Sequence, residues 1–225
     1  MFSIFRKKYT IEDLVTVTDS YSMRRSSVNV AVIDDKEFPY LRILREHDYK
    51  ITKFDDINSI NQLANYDIII CDIRGVGKNF GSKYQGGHLI QEISKKFPHK
   101  YLIAYSGSVF KTDYNQFFKL CDESVMKGKD VNDMVNLLDR ASKEVRNPIY
   151  QWKKTRTVLE NNKMPSDQIA TIEKRFISSI MRRKIKIFEA TIADYSTKSI
   201  SNDSISLVLN SLAVFSGTLI SNITK

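Results

Sequence analysis

Short runs of consecutive apolar, largely β-branched residues alternate along the first two thirds of the chain with segments whose apolar positions recur every three or four residues. The runs fall at residues 28–33, 66–72, 101–106 and 123–127, while residues 49–54 alternate apolar and polar. Apolar runs of this length suit strands buried on both faces, the habit of parallel sheets. Helical patterns fill the intervals at 38–47, 57–64, 88–97 and 113–120. A longer one at 130–146 puts Val131, Met134, Val135, Leu138, Ala141 and Val145 on one face. Strand–helix alternation predicts an α/β fold built on a doubly wound, five-stranded parallel sheet.

Beyond Asn147 and Pro148 the pattern becomes helical throughout. Residues 149–160 form one segment, stopped by Asn161 and Asn162, and Pro165, Ser166 and Asp167 supply a new start. An apolar stripe then runs through Ile169, Ile172, Phe176, Ile180, Ile187, Thr191 and Tyr195. The expected organisation is an N-terminal extension at 1–27, an α/β domain at 28–147 and a helical output or oligomerisation region at 148–225. Residues 204–224 carry no charge and are long enough to cross a bilayer. Ser206, Asn210, Ser211, Ser216, Thr218, Ser221 and Asn222 dilute that stretch, which suits the central helix of a bundle equally well. Three such helices leave apolar surface over. A soluble homodimer through residues 149–225 is therefore expected, with membrane attachment through 204–224 as the alternative.

Charge sharpens this division. The net charge of +9 is uneven: 18 Lys/Arg against 17 Asp/Glu over 28–147, but 12 against 6 over 148–225. The basic excess lies mainly in the helical third, including Arg182, Arg183, Lys184 and Lys186, and suits an acidic partner. No compact helix-turn-helix pattern accompanies it, so sequence-specific DNA binding is disfavoured. Cys71 and Cys121 have no metal-site or disulfide spacing and fit small core residues in a reducing cytosol. The N-terminus puts apolar residues before its basic ones, the reverse of a secretory signal, and a cytoplasmic protein is expected.

The candidate chemistry lies where the predicted strands end. The first ends in Asp34 and Asp35, the third in Asp72, the fourth in Ser106 followed by Gly107, and the fifth in Lys127. In a doubly wound sheet the carboxyl ends of the strands face one crevice. Clustered carboxylates there hold a hard cation such as Mg2+ through oxygen, and a carboxylate beside the cation can act as a nucleophile on phosphorus. A hydroxyl and an ammonium would stabilise the phosphoryl oxygens.

These five parts, in this order, resemble the receiver domain of bacterial two-component response regulators, the flavodoxin-like chemotaxis type, over roughly 120 residues. The resemblance implies that Asp72 accepts the phosphoryl group. It implies that Asp35 and Asp72 ligate Mg2+ with the backbone carbonyl of Arg74, Asp34 acting directly or through water, and that Ser106 and Lys127 contact the phosphoryl oxygens. It further implies a phosphorelay role. An upstream histidine kinase or phosphotransfer protein would be the donor, an unknown protein effector would receive the output, and enzymatic activity would not go beyond weak self-phosphorylation and self-dephosphorylation.

The chain departs from that pattern in three places. The segment after Asp72, residues 73–87, is about seven residues longer than is usual, lacks Pro and is rich in Gly and Lys, which predicts a mobile loop ahead of a helix start at Gln85, Gly86 and Gly87. Lys127 is followed by Gly128 instead of Pro, and Ser124 stands where the family places its switch aromatic. A pseudo-receiver, the same fold binding partners without phosphorylation, is the alternative these departures support, and a Mg2+-dependent phosphohydrolase is a weaker one. A phosphate-binding loop at Gly77 and Lys78 fails because the required earlier Gly is Asp72 and the required hydroxyl is Asn79. A haloacid-dehalogenase-type site fails because its second Asp is Arg74. His47, His88 and His99 all precede the C-terminal helices, so that region is not a histidine phosphodonor bundle.

Overall fold

The computed structural model describes residues 8–19, 24–107, 112–197 and 203–223. In chain order the helices are α1 (Val15–Asp19), α2 (Leu41–Glu46), α3 (Gly86–Lys96), α4 (Asn115–Phe118), α5 (Val131–Arg146), α6 (Pro148–Asn161), α7 (Ser166–Met181), α8 (Lys186–Thr197) and α9 (Asp203–Ile223). The strands are β1 (Asn29–Ile33), β2 (Lys50–Phe54), β3 (Ile68–Asp72), β4 (Tyr101–Ser106) and β5 (Glu123–Met126). The chain divides into two units, residues 23–145 and residues 1–22 together with 146–225.

The first unit is a five-stranded sheet in the order β2-β1-β3-β4-β5, every pair parallel. Ala31, Ile33, Ile69, Cys71, Leu102 and Ala104 face one side and pack with Leu89, Ile90 and Ile93 of α3 and Phe117 of α4. The alternate positions Val30, Val32, Ile68, Ile70, Ile103 and Tyr105 are buried as well. Burial on both faces explains why these strands read as unbroken apolar runs. The expected doubly wound α/β sheet is what forms, and all five predicted strands are present.

Short connections differ from the helical patterns predicted for them. Residues 57–64 yield only a 3-10 turn, Ile60–Leu63, whose Ser59 and Gln62 cap it reciprocally. Its two buried residues, Ile60 and Leu63, are three apart, which suits three residues per turn. Residues 113–120 give another 3-10 turn and the single-turn α4.

The second unit is helical. Asn147 starts α6 by accepting the amide of Ile149 at 2.9 Å, with Pro148 in the first turn, where its missing N–H costs nothing. The stripe read as one helix from Ile169 to Tyr195 is broken into α7 and α8 by a turn in which Arg183 takes φ +54°. Trp152 stacks on Phe176 with ring centroids 5.7 Å apart, and Phe188 meets Phe176 edge-on. α9 buries Ile205, Val208, Leu209, Leu212, Leu219 and Ile220, leaving Asn210, Val214, Thr218 and Ser221 exposed. Among the described residues α9 is the one helix long and apolar enough to cross a membrane, with a mean hydropathy of 1.6. Leu14, from the segment ahead of the sheet, is fully buried in this same helical core.

Candidate functional site

The ladder that builds the sheet also aims the site. Ile33 pairs with Cys71, Asp72 with Tyr105, and Ser106 with Met126, so β1, β3, β4 and β5 end side by side. Ladder-type bonds continue one residue past the strands: Asp34 donates its amide to Phe54 O at 3.0 Å, Ile73 to Tyr105 O at 3.1 Å, and Lys127 to Ser106 O at 2.7 Å. The backbone of Asp34, Asp72, Ser106 and Lys127 is therefore fixed before any side chain contributes.

Lys127 Nζ sits between two carboxylates, donating to Asp34 Oδ2 at 2.7 Å and to Asp72 Oδ2 at 2.6 Å. The other oxygen of Asp72 accepts the amide of Arg74 at 3.2 Å, and the other oxygen of Asp34 accepts the amide of Lys36 at 3.0 Å. The side chain of Asp34 is 1% exposed and that of Asp72 9%, against 31% for Asp35. Burial pushes the Asp72 carboxyl above the usual carboxylate range, with the hydrogen bond from Lys127 opposing it. Lys127 is also partly buried, but its bonds to Asp34 and Asp72 outweigh desolvation and hold its ammonium above the ordinary lysine value.

Asp34, Asp35 and Asp72 each offer an oxygen, and these oxygens lie within 4.8 Å of one another. An all-oxygen, carboxylate-rich set of this span fits a hard divalent cation. Asp35, Asp72, Arg74, Ser106, Gly107 and Lys127 line an open cleft of about 300 Å3 above them. Every residue predicted for the site thus falls at one end of the sheet, with Arg74 contributing its amide to Asp72 while its guanidinium lies 5.1 Å over the Tyr114 ring.

The long segment after Asp72 follows a defined path. Val76 is fully buried, Gly75 donates its amide to Gln85 Oε1 at 2.9 Å, and the amides of Gly77 and Lys78 converge on the carboxylate of Asp56 at 2.7 and 3.1 Å. These anchors set the path of a segment whose glycine content predicts mobility. The loop also brings Lys78 Nζ to 3.5 Å from Asp35. α3 begins at Gly86, as expected. A Cβ there would fall 1.9 Å from the carbonyl oxygen of Asp72, so only glycine lets the helix approach this closely.

The order β2-β1-β3-β4-β5, all parallel, is that of the flavodoxin and chemotaxis-protein fold, with its crevice at the β1/β3 switch point. Asp34 and Asp72 lie at that point. Residues 23–145 have a receiver-like fold. No family model and no curated protein matches the chain. Solved structures similar to it include receiver domains. One is a CheY-like response regulator receiver domain protein from Methanospirillum hungatei JF-1, at 16% identity and a TM-score of 0.43, covering 52% of this chain and 95% of that one. Another is the receiver domain of NtrX from Brucella abortus, at 18% identity and 0.43, covering 51% and 98%. Against a longer NtrX chain crystallised with ATP the values are 15% and 0.45, and the match spans 34% of that chain. The helical unit lies largely outside these matches.

Two contributors to the receiver-like site, Asp56 and Phe38, carry no sequence signal of their own, and Tyr105 is marked only as the aromatic nearest Ser106. Asp56 anchors the long loop. Phe38 closes the side opposite α3, its ring 5.5 Å from that of Tyr105. Tyr105 itself lies under Lys127, the ring centroid 4.9 Å from Nζ. Only the apolar, aromatic character of Phe38 could have signalled it, and several other core aromatics share that character.

Proposed function

We propose that the receiver-like unit accepts a phosphoryl group on Asp72 and that the helical unit carries the output. The observation that carries this reading is the placement of the Lys127 ammonium between Asp34 and Asp72, with Asp35 completing a three-carboxylate cluster. Burial makes Asp72 more basic than a surface carboxylate, which suits a nucleophile. One Asp72 oxygen attacks phosphorus as the P–N bond of a phosphohistidine, or the P–O bond of acetyl phosphate, breaks. The imidazole or acetate leaves with the bonding pair, and an acyl phosphate remains on Asp72. Asp34, Asp35, Asp72 and the Arg74 carbonyl would hold Mg2+, which when bound neutralises charge on the phosphoryl oxygens. Ser106 donates its hydroxyl to one phosphoryl oxygen, and Lys127 exchanges its Asp72 contact for another.

The donor on this reading is a histidine kinase or phosphotransfer protein, and the site is not that of a turnover enzyme. The second unit is proposed as a cytoplasmic homodimerisation module that engages a protein effector. The supporting observation is that α9 packs its apolar face inside the helical core, as a bundle helix does, while Leu207 and Val214 stay exposed beside Asn210, Thr218 and Ser221 and leave apolar surface for a second copy. Incubation of the full chain with Mg2+ and acetyl phosphate tests the chemistry. One alkali-labile phosphoryl group is expected on the parent protein and none on Asp72→Asn. Equal labelling of both overturns the reading. Absence of labelling with Mg2+ still bound favours the pseudo-receiver, which the exposed Ser124 at the usual aromatic position supports. Steady release of phosphate from generic phosphoesters favours the hydrolase.

A further inference from the structure

Lys127 has a third partner besides its two carboxylates. Its Nζ stands 4.9 Å from the centroid of the Tyr105 ring, within the range over which an ammonium is held by an aromatic face. That ring is 1% exposed, and it is fixed from behind by Phe38, edge-on at 5.5 Å. Phe38 is fixed in turn by Tyr40, whose centroid is 5.2 Å away and whose hydroxyl donates to the carbonyl of Lys129 at 2.6 Å. The stack therefore runs from the β1–α2 connection, under the end of β4, and back to the loop that bears Lys127. It is buried and its rings interlock, so the face offered to the ammonium does not move.

We propose that Tyr105 is a positioning residue that holds the Lys127 ammonium over the phosphoacceptor carboxylate through a cation–π contact. An aromatic face suits this task in a way a third carboxylate would not. It attracts the cation without taking its proton, adds no charge for a divalent ion to bind, and has no preferred lone-pair direction. Lys127 can slide over the ring from Asp72 to an arriving phosphoryl oxygen while remaining held. The aromatic that bears on this site is then beneath the lysine, on β4. β5 carries Ser124 at the position where the receiver pattern has one. The inference rests on the proposed phosphoacceptor role for its consequence, but the contact can be measured separately.

The test uses the full chain with Tyr105 replaced by Phe, by mono-, di- and trifluorinated Phe through suppressor incorporation, and by Leu. Fluorination drains the ring face of negative charge with little change of shape. The Phe variant is expected to gain phosphate from acetyl phosphate at nearly the parental rate, and the rate to fall stepwise with fluorination to roughly tenfold lower, with urea midpoints unchanged between Phe and its fluorinated forms. In spectra of lysine-labelled protein the ε-methylene signal lost in Lys127→Arg should lie upfield in the parent from the ring current, and should return toward the free-lysine position in Tyr105→Leu. Equal rates across the fluorinated series, or an unshifted ε-methylene in the parent, overturn the proposal. If the parent takes no phosphate but the ε-methylene is shifted and moves as described, the contact stands and the phosphoacceptor reading fails.

Discussion

At the scale of single residues, the site is built as much by close approaches as by charges. Gly86 is the clearest case, since a side chain there would strike the backbone of Asp72 itself. Gly86→Ala is expected to cost at least about 3 kcal/mol, because the obstacle is main chain that cannot rotate away. Gly81 is the control. Its φ is +66° but a Cβ would meet nothing within 4 Å, so Gly81→Ala should cost only about 1 kcal/mol of left-handed strain. Urea titrations of the two variants check this, and equal losses would show that the α3–β3 approach is looser than described. The acids and the lysine of the site were legible in the sequence because each closes an apolar strand. The contact of Tyr105 with Lys127 was not, because it depends on β4 and β5 lying in register, which links residues that no local pattern connects.

At the scale of elements, one polar cluster ties the edge of the sheet to its covering helix. Arg25, in the 3-10 turn Arg25–Ser27, forks onto Asp139 of α5 with both bonds at 2.8 Å, and the Tyr49 hydroxyl, just ahead of β2, donates to the same carboxylate. The Arg25 guanidinium holds the Asp139 carboxyl below the usual carboxylate range, burial opposing it and Tyr49 assisting. A depressed folded-state value contributes stability above the unfolded carboxylate value of about 4 and loses it as pH falls through the folded one. Asp139→Asn should therefore cost about 1–2 kcal/mol at pH 7, the bonds being a third exposed, and the gap from the parent should close progressively below about pH 4. Urea midpoints at pH 7, 5 and 3 measure it; a gap undiminished at pH 3 would mean the carboxylate charge is not what matters. The positions of β1, β3 and β4 were readable because two-sided burial leaves an unbroken apolar signature. The α7–α8 break was not, because neither Gly nor Pro marks it and Arg183 itself takes the left-handed turn.

At the scale of the whole molecule, the helical unit is assembled from both ends of the chain. Leu14 is fully buried among Trp152, Phe176 and their neighbours, so the segment that reads as an N-terminal extension is part of that core. Leu14→Ala is expected to cost the helical unit about 2–5 kcal/mol. Limited proteolysis should then open sites within residues 146–225 while residues 23–145 resist cleavage as in the parent. Simultaneous loss of both units would mean that they do not unfold independently. The sequence could not reveal this, since a short amphipathic segment carries no address for a partner well over a hundred residues away.

That arrangement orders events during synthesis. Residues 8–19 leave the ribosome well before the helices that bury Leu14, which begin only at Pro148. At roughly 5–20 residues per second the segment waits on the order of ten seconds with its apolar side uncovered. The sheet of residues 23–145 is complete in the meantime, its strands joined by connections internal to it. The α/β unit can thus mature as an insert within a helical unit that cannot close until α9 has been synthesised. Nascent chains in which residue 146 has just cleared the exit tunnel should already protect the sheet while leaving residues 8–19 open to chaperones.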